Sequence, residues 1–330
     1  MNPTNNAITN TNHLILLEAA KKLNIKIQIL STKPLKVKYT CENKSHIIAG
    51  KSFGLNKSQK AKTIAKNKAS TLTVLQKANL PTPQFHLITK RHDYKKALKS
   101  IPFPQVIKPL TGQKGKYIFL NIKDQPSGQQ AVNQILDHYP EGCIIESFHP
   151  DNDYRFMVLN QKLIGFSQRL SPTITGDNQH TIKQLIRIEN QRRFQQNQKL
   201  GKRMLNRMHN WPRIKWNLAQ QNLTLKTILP KNKTITLYLI PNFSTGGSVK
   251  AIDIKTIHPS LIKLATTASQ LIGLDIIGID ILIKNLNKPP KDNAVIIEVN
   301  SDPGLRLHDW PNQGKPQHAA EKILKHIFKL

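Results

Sequence analysis

Acidic side chains are scarce in this 330-residue sequence: 19 Asp and Glu stand against 50 Lys and Arg, for a formal net charge of +31. Cysteine is scarcer still. Cys41 and Cys143 lie far apart and form no CxxC, which argues against a disulfide framework or a thiolate zinc site and places the chain in a reducing, cytoplasmic setting. Aromatics make up 6% of the residues and do not interleave regularly with the basic segments, so no stacking platform for nucleic acid is written here. Long apolar runs are missing as well. Nothing approaches the roughly 20 apolar residues that cross a bilayer, and the first residues, MNPTNNAITNTNHLILLEAA, lack a basic leader.

A hydrophobic fraction of 38% is ample for a core in a chain of one elaborated domain or two. The charge is unevenly placed. Residues 1–100 hold 19 basic side chains and three acidic ones, Glu18, Glu42 and Asp93. A second stretch, Asn190 to Ile252, has no acid and includes Arg192, Arg193, Lys199, Lys202, Arg203, Arg207, Arg213 and Lys215. Such a field attracts polyanions; the plainer reading is compositional bias, because charge speaks to partners and not to fold.

Periodicity predicts a helix over His13–Leu23, short strands at Lys26–Leu30, Leu35–Tyr39 and His46–Ala49, and one long basic helix over Lys60–Ala78 that the Pro81 and Pro83 breakers close. A strand, Ile101–Pro109, delivers Lys108 into the loop Leu110–Gly115, and Tyr117–Ile122 follows as a strand. A helix over Gly128–His138 leads to the strand Cys143–Glu146. Next come a hairpin of Asp153–Leu159 with Leu163–Arg169, a helix from Thr181 that stops before Gln191–Lys202, and a strand Thr234–Ile240. The loop Asn242–Ser248 precedes a helix over Pro259–Leu271, and a last amphipathic helix covers Ala319–Leu330. No repeat or low-complexity linker interrupts the series.

The most informative stretch is Ile276–Arg306. Two Ile- and Val-rich runs, Ile277–Ile283 and Ala294–Val299, flank a polar segment with Pro289 and Pro290. A hairpin centred there sets Asp280 opposite Glu298, and Asn300 shares their face by the period of two. Two carboxylates and an amide among apolar strands form an oxygen-only site of the kind Mg²⁺ prefers. The alternative is an edge hairpin with both acids in solvent. Lys108 with Gly112 and Gly115 suits phosphates, or a plain hairpin. Asn242–Ser248, NFSTGGS, reads as a flexible loop with many free amides, suited to carboxylates or phosphates and equally to a turn. Arg155 and Arg169 could simply pair with Asp153 and Glu146.

The order of these blocks resembles the ATP-grasp ligases, in particular the ATP-grasp part of cyanophycin synthetase and of bifunctional glutamate–cysteine ligase/glutathione synthetase. The blocks are VIKPLTGQKGK (106–116), ESFHPDNDYRFMVLNQKLIGFSQR (146–169), TGDNQHTIKQLI (175–186), NFSTGGS (242–248), IGLDIIGIDIL (272–282) and IIEVNSDPGLRLH (296–308). The resemblance implies an α/β (α+β) ATP-grasp fold: a pre-ATP-grasp region over 1–59, then an ATP-grasp unit over 60–330 whose subdomains, 60–145 and 146–330, grip ATP. It implies that Asp280, Glu298 and Asn300 hold two Mg²⁺ ions, with Mn²⁺ as a substitute. Lys68, Lys108, Gly112 and Gly115 would contact phosphates, and Glu146, Ser147 and Phe148 would form the adenine hinge, with Asp153 near the ribose or the substrate mouth. Arg155 and Arg169 would stabilise an acyl-phosphate, Arg306 would sit near the transferred phosphate, and Thr245, Gly246, Gly247 and Ser248 would wrap a substrate carboxylate. The activity implied is ATP-dependent amide formation on a small-molecule or peptide substrate.

The sequence departs from the pattern in three places. Tyr117 stands where relatives usually carry another glycine. Neither a Mur-ligase-like nor a glutamate–cysteine ligase domain accompanies the blocks, so this chain alone is not expected to complete a two-amino-acid cycle. The Asn190–Lys233 segment is more basic than the resemblance implies, which suggests a polyacidic acceptor. Two other classes compete: a protein of this fold that binds nucleic acid or another polyanion without turnover, and a subunit of a separate ligase. A homo-oligomer is compatible with all three.

Overall fold

The computed structural model describes residues 10–112, 115–202 and 204–330. Its elements run α1 (Thr11–Lys22), β1 (Lys26–Thr32), β2 (Leu35–Cys41), β3 (Lys44–Ala49), α2 (Gln59–Lys66), α3 (Lys68–Lys77), β4 (Phe85–Ile88), α4 (Tyr94–Ala97), β5 (Gln105–Pro109), β6 (Phe119–Ile122), α5 (Gln125–Leu136) and β7 (Cys143–Ser147). They continue with β8 (Asn152–Leu159), β9 (Lys162–Leu170), β10 (Thr173–Thr175), α6 (Ile182–Leu200), α7 (Trp211–Ala219), β11 (Thr234–Thr236), β12 (Ser248–Ala251), α8 (Pro259–Ile272), β13 (Ile276–Ile283), β14 (Ala294–Asn300), α9 (Arg306–Asp309) and α10 (Ala319–Phe328). Pairings between these strands are all antiparallel, so of the two classes expected the molecule is α+β.

The strands form sheets in the orders β1-β2-β3, β4-β7-β5-β6 and β12-β9-β8-β13-β14, with a β10-β11 ribbon. The five-stranded sheet is the centre of the molecule. One face packs Tyr154, Phe156, Ile277 and Ile279 against Leu261, Leu264 and Ala265 of α8 and against Ala61 and Leu75 of α2 and α3. Fully burying each such aliphatic side chain contributes about 1.5–3 kcal/mol. α8 starts with Pro259 in its first turn and ends at Gly273, whose φ of 77° fits the left-handed residue that stops a helix. The other face puts Met157, Leu159 and Ile276 against α1, β2 and α10. Followed along the paired strands β8 and β13, that second face changes from these apolar residues to Asp153, Arg155 and Asp280. The core ends where the charged groups begin.

Three of the differences from the sequence expectation have a plain local cause. The helix over Lys60–Ala78 is broken at Asn67, which is extended (φ −105°, ψ 117°) and caps α3 by accepting from the Ser70 amide at 3.0 Å. Asparagine competes with the helix for backbone partners, and here it wins. α6 runs through the basic, Gln-rich stretch to Leu200 and stops at Gly201, φ 58°; Gln, Lys and Arg are good helix formers, and basic charge alone does not end a helix. The expected strand Thr234–Ile240 pairs only over Thr234–Thr236, because its partner β10 has three residues. Leu237 and Tyr238 are nonetheless buried, in a separate core with Ile186 of α6 and Ile214 of α7.

Candidate active site

The β13–β14 register pairs Asp280 with Glu298 and Gly278 with Asn300. A bulge between Asp280 and Ile281 lets Glu298 and Asn300 keep the Asp280 face while Ile296 stays in the core. Asp280 is fully buried. Arg155, its cross-strand neighbour on β8, clasps it through Nε and, at 2.9 Å, through Nη2. Arg169 reaches it from β9 at 2.9 Å and makes a bidentate pair with Asp153 at 2.8 and 2.9 Å. Burial alone would raise the pKa of Asp280, and the two guanidiniums reverse that, holding it below the usual carboxylate range. Asp153 is pushed up by burial and by the neighbouring Asp280 charge despite its pairing with Arg169.

Two lysines meet this floor from other elements. Lys68, the first residue of α3, lies 3.6 Å from Glu298, and its backbone amide donates to Leu110 O at 3.1 Å. The break at Asn67 thus sets the site geometry as well as the helix count. Lys108 on β5 pairs with Glu146 on β7 at 2.8 Å and donates to Ile297 O of β14 at 3.3 Å. Both lysines are buried. Burial pushes the Glu146 carboxyl up, and Lys108 opposes it only in part. Of the pairings foreseen from sequence, Arg169 with Asp153 is present; Glu146 belongs to Lys108 instead, and Asp280 takes both arginines.

Several expected ligand-binding groups are engaged within the protein. The amides of Ser147 and Phe148 donate to Gln84 O and Pro104 O at 3.0 and 3.1 Å. The Asn242–Ser248 loop is not a set of free amides. Asn242 Oδ1 accepts from Ser244, Asn242 O accepts from Thr245 and Gly247, and Phe243 O accepts from Gly246. An asparagine turn organises the loop from inside. Its glycines are steric requirements: a Cβ on Gly247 would lie 2.9 Å from the carbonyl oxygens of both Asn242 and Leu170, and Gly246, at φ 111°, backs onto Met208. The loop is also held from outside, by Arg193 Nη1 on Gly246 O at 2.7 Å and by the Tyr238 hydroxyl on Thr245 O. Ser248 begins β12, opposite Leu170. Arg306 is buried, with its guanidinium 3.5 Å from the Phe243 ring centre and bonded to Met204 O.

Gly112 and Gly115 adopt φ of 132° and 69°, while Gln113 and Lys114 at the loop tip lie outside the described residues, as does Arg203 of the basic stretch. Tyr117 takes φ 52°, in the region that favours glycine, and its ring packs on His138 and Tyr139 with centroids 4.5 and 5.6 Å away. Ring packing holds a conformation that glycine would adopt without cost.

The family profile for the RimK-like ATP-grasp domain matches residues 65–183 and 240–327, more than half of the chain. The chain belongs to the RimK-like ATP-grasp family. Cyanophycin synthetase from Crocosphaera subtropica is 34% identical over 271 residues, covering 80% of this chain and 30% of that protein. The glutathione biosynthesis bifunctional protein GshAB of Listeria welshimeri is 31% identical over 216 residues, covering 65% of this chain and 27% of that protein. The ATP-grasp chain thus spans less than a third of these relatives' length. A solved bifunctional glutathione synthetase from Pasteurella multocida shares the fold at a TM-score of 0.68 and 21% identity, over 98% of this chain and 44% of that one. The ATP-grasp match leaves out residues 184–239, which hold α6 from its third residue, α7 and β11. Arg193 lies in that segment, and no local motif announced its grip on Gly246. Among the described residues no helix is long and apolar enough to cross a membrane.

Proposed function

We propose that this chain is an ATP-dependent carboxylate–amine ligase that forms an amide bond through an acyl-phosphate. The observation that carries the reading is the convergence of Asp280, Glu298 and Asn300 on one sheet face with Lys68 and Lys108 entering from the neighbouring elements. The donor set fits a hard cation: it is all oxygen, and the Asn300 side-chain nitrogen is buried with no hydrogen-bond partner among the described residues, so its amide is not locked into a protein network. Asp280, Glu298 and Asn300 would hold Mg²⁺, two ions by family analogy with Mn²⁺ able to replace them, and the metal would neutralise triphosphate charge. Residues 60–145 and 146–330 would be the two grips on ATP, with 1–59 ahead of them.

In the first step a substrate carboxylate oxygen attacks the γ-phosphorus of ATP, and the bond to the β-phosphate bridging oxygen breaks to release ADP. In the second, an amine nitrogen attacks the acyl carbon, phosphate leaves, and the nitrogen gives up a proton. Lys68 and Lys108 supply fixed positive charge to the phosphates, and Arg155 and Arg169 stabilise charge on the transferred group. Gly112 and Gly115 would lie over the phosphates, Glu146, Ser147 and Phe148 would flank the adenine, and Asp153 would border the ribose. Thr245, Gly246, Gly247 and Ser248, with Arg306 behind Phe243, would form the wall on the carboxylate side.

The acceptor we infer is polyacidic. Residues 184–239 carry 12 Lys and Arg and a single acid, Glu189, and that acid is already clasped by Arg192 and Arg193. A phosphate-release screen with Mg²⁺-ATP against amino acids and short acidic peptides, in pairs, tests the activity. Release that depends on both a carboxylate and an amine supports it; Mg²⁺-ATP binding unaffected by Glu298→Ala would sink it. A KM for acidic peptides that ignores salt would remove the polyacidic acceptor, because attraction between exposed charges is screened.

A further inference from the structure

Four cations of the site sit against carboxylates: Lys68 on Glu298, Lys108 on Glu146, Arg155 on Asp280, and Arg169 on Asp153 and Asp280. Arg193, behind the Gly246 loop, is neutralised by Glu189 at 2.8 Å. Arg213 is different. It projects from the first turn of α7, and its Nη2 donates to the carbonyl of Gly115 at 2.6 Å. Its guanidinium carbon lies 6.0 Å from the Tyr238 ring centre. Among the described residues no carboxylate lies within ion-pair distance of it.

A guanidinium carries five N–H donors and a full charge. One carbonyl satisfies one donor and none of the charge, and withdrawing an uncompensated cation from water is unfavourable. Burial accordingly pulls the Arg213 pKa below the ordinary arginine value, an effect its neighbour Tyr238 only partly offsets. Position says which anion is missing. A Cβ built on Gly115 would lie 3.6 Å from both Arg213 Nη1 and Asn242 Nδ2, so the guanidinium stands where the end of the glycine loop meets the start of the Asn242–Ser248 loop. The planar fork of arginine suits the tetrahedral face of a phosphate better than the point charge of lysine. α7 also falls within residues 184–239, outside the family match.

We propose that Arg213 is a phosphate ligand of the nucleotide site, its guanidinium taking oxygens of the terminal phosphate of ATP while it anchors the glycine loop through Gly115. This rests on the nucleotide-binding reading above. Arg213 is a counter-charge supplied from α7.

The test is calorimetric binding of Mg²⁺-AMPPNP and Mg²⁺-ADP to the full chain, comparing wild type with Arg213→Gln and Arg213→Lys. Loss of one charge-assisted hydrogen bond pair is expected to weaken Mg²⁺-AMPPNP about ten- to a hundredfold in Arg213→Gln. Mg²⁺-ADP should change less than about threefold by the same reasoning, and Arg213→Lys should recover part of the loss. Equal weakening of both nucleotides would mean that Arg213 only latches the loop, and no weakening of either would mean that it does nothing at the site; each overturns the proposal. A wild-type chain that binds neither nucleotide overturns the nucleotide site itself. Where Arg213→Gln does not fold, Arg213→Lys against wild type carries the comparison, with selective weakening of Mg²⁺-AMPPNP as the supporting result.

Discussion

Asp280 and Glu298 face each other as candidate metal ligands, yet they stand in different electrostatic settings, and replacing each should have a different effect on the fold. Asp280→Asn leaves two guanidiniums around a neutral amide, with Asp153, on Arg169, the one carboxylate among the described residues still in ion-pair contact with either. Breaking a buried pair from one side costs about 3–5 kcal/mol. At about 2.1 cal/mol/K of unfolding entropy per residue, a 330-residue chain loses roughly 4–7 °C in Tm for that change. Glu298 is about a third exposed and meets the buried Lys68 only at 3.6 Å, a long contact screened on the Glu298 side and worth about 1 kcal/mol. Glu298→Gln should therefore melt within about 1–2 °C of wild type. The assay is a thermal melt at neutral pH in EDTA, followed by titration of each variant with Mg²⁺ and a non-hydrolysable nucleotide. Both variants should lose metal-dependent nucleotide binding. Equal melting shifts, or a Glu298→Gln variant less stable than Asp280→Asn, would refute the assignment of Asp280 to both the fold and the site.

Further expectations follow from the same geometry. Gly247→Ala drives a methyl group to 2.9 Å from two carbonyl oxygens and should cost about 1–3 kcal/mol in denaturant unfolding; an unchanged midpoint would show that the loop relaxes freely. His308 is buried, donates from Nδ1 to Gln317 Oε1 at 3.1 Å, and has its pKa lowered by burial to about 3. A free histidine titrates near 6.5, so the unfolded chain binds this proton first, and stability present above about pH 6.5 is lost as pH falls toward 3. Between pH 7 and 5.5 the loss is about 1 kcal/mol, and it should vanish from the pH profile of His308→Gln. Removing metal with EDTA should leave the ligand-free Tm unchanged, because Arg155, Arg169 and Lys68 neutralise the carboxylates. Mg²⁺ with nucleotide at about 100 times Kd should add about 2.7 kcal/mol, read as a rise in Tm.

The hairpin was legible because its runs are strongly β-prone and Pro289–Pro290 fixes where it turns, so period two put Asp280, Glu298 and Asn300 on one face. α8 and α10 were legible through their apolar stripes. Local competition hid the rest: Asn67 could equally continue a helix or cap one, and the Gln-rich segment gave no stop signal before Gly201. Partner choice was hidden for a different reason. Arg155 meets Asp280 through a register between strands 125 residues apart, and Arg213 meets Gly115 across 98 residues. Contacts of that span leave no spacing for a reader to find.

The core beneath β2 is built from both ends of the described chain. Ile15, Leu16 and Ala19 of α1 pack with Ile323, Leu324 and Phe328 of α10, and Lys22 pairs with Glu321, 299 residues later. At a synthesis rate of roughly 5–20 residues per second, about 15–60 s separate the two halves of that contact on the ribosome. Through that interval the apolar stripe of α1 has no α10 to cover it. This is a late-closing topology, in which α10 completes a core that α1 begins about 300 residues earlier. Folding yield in the cell should therefore respond to holdase chaperones and to translation rate far more than equilibrium stability would suggest.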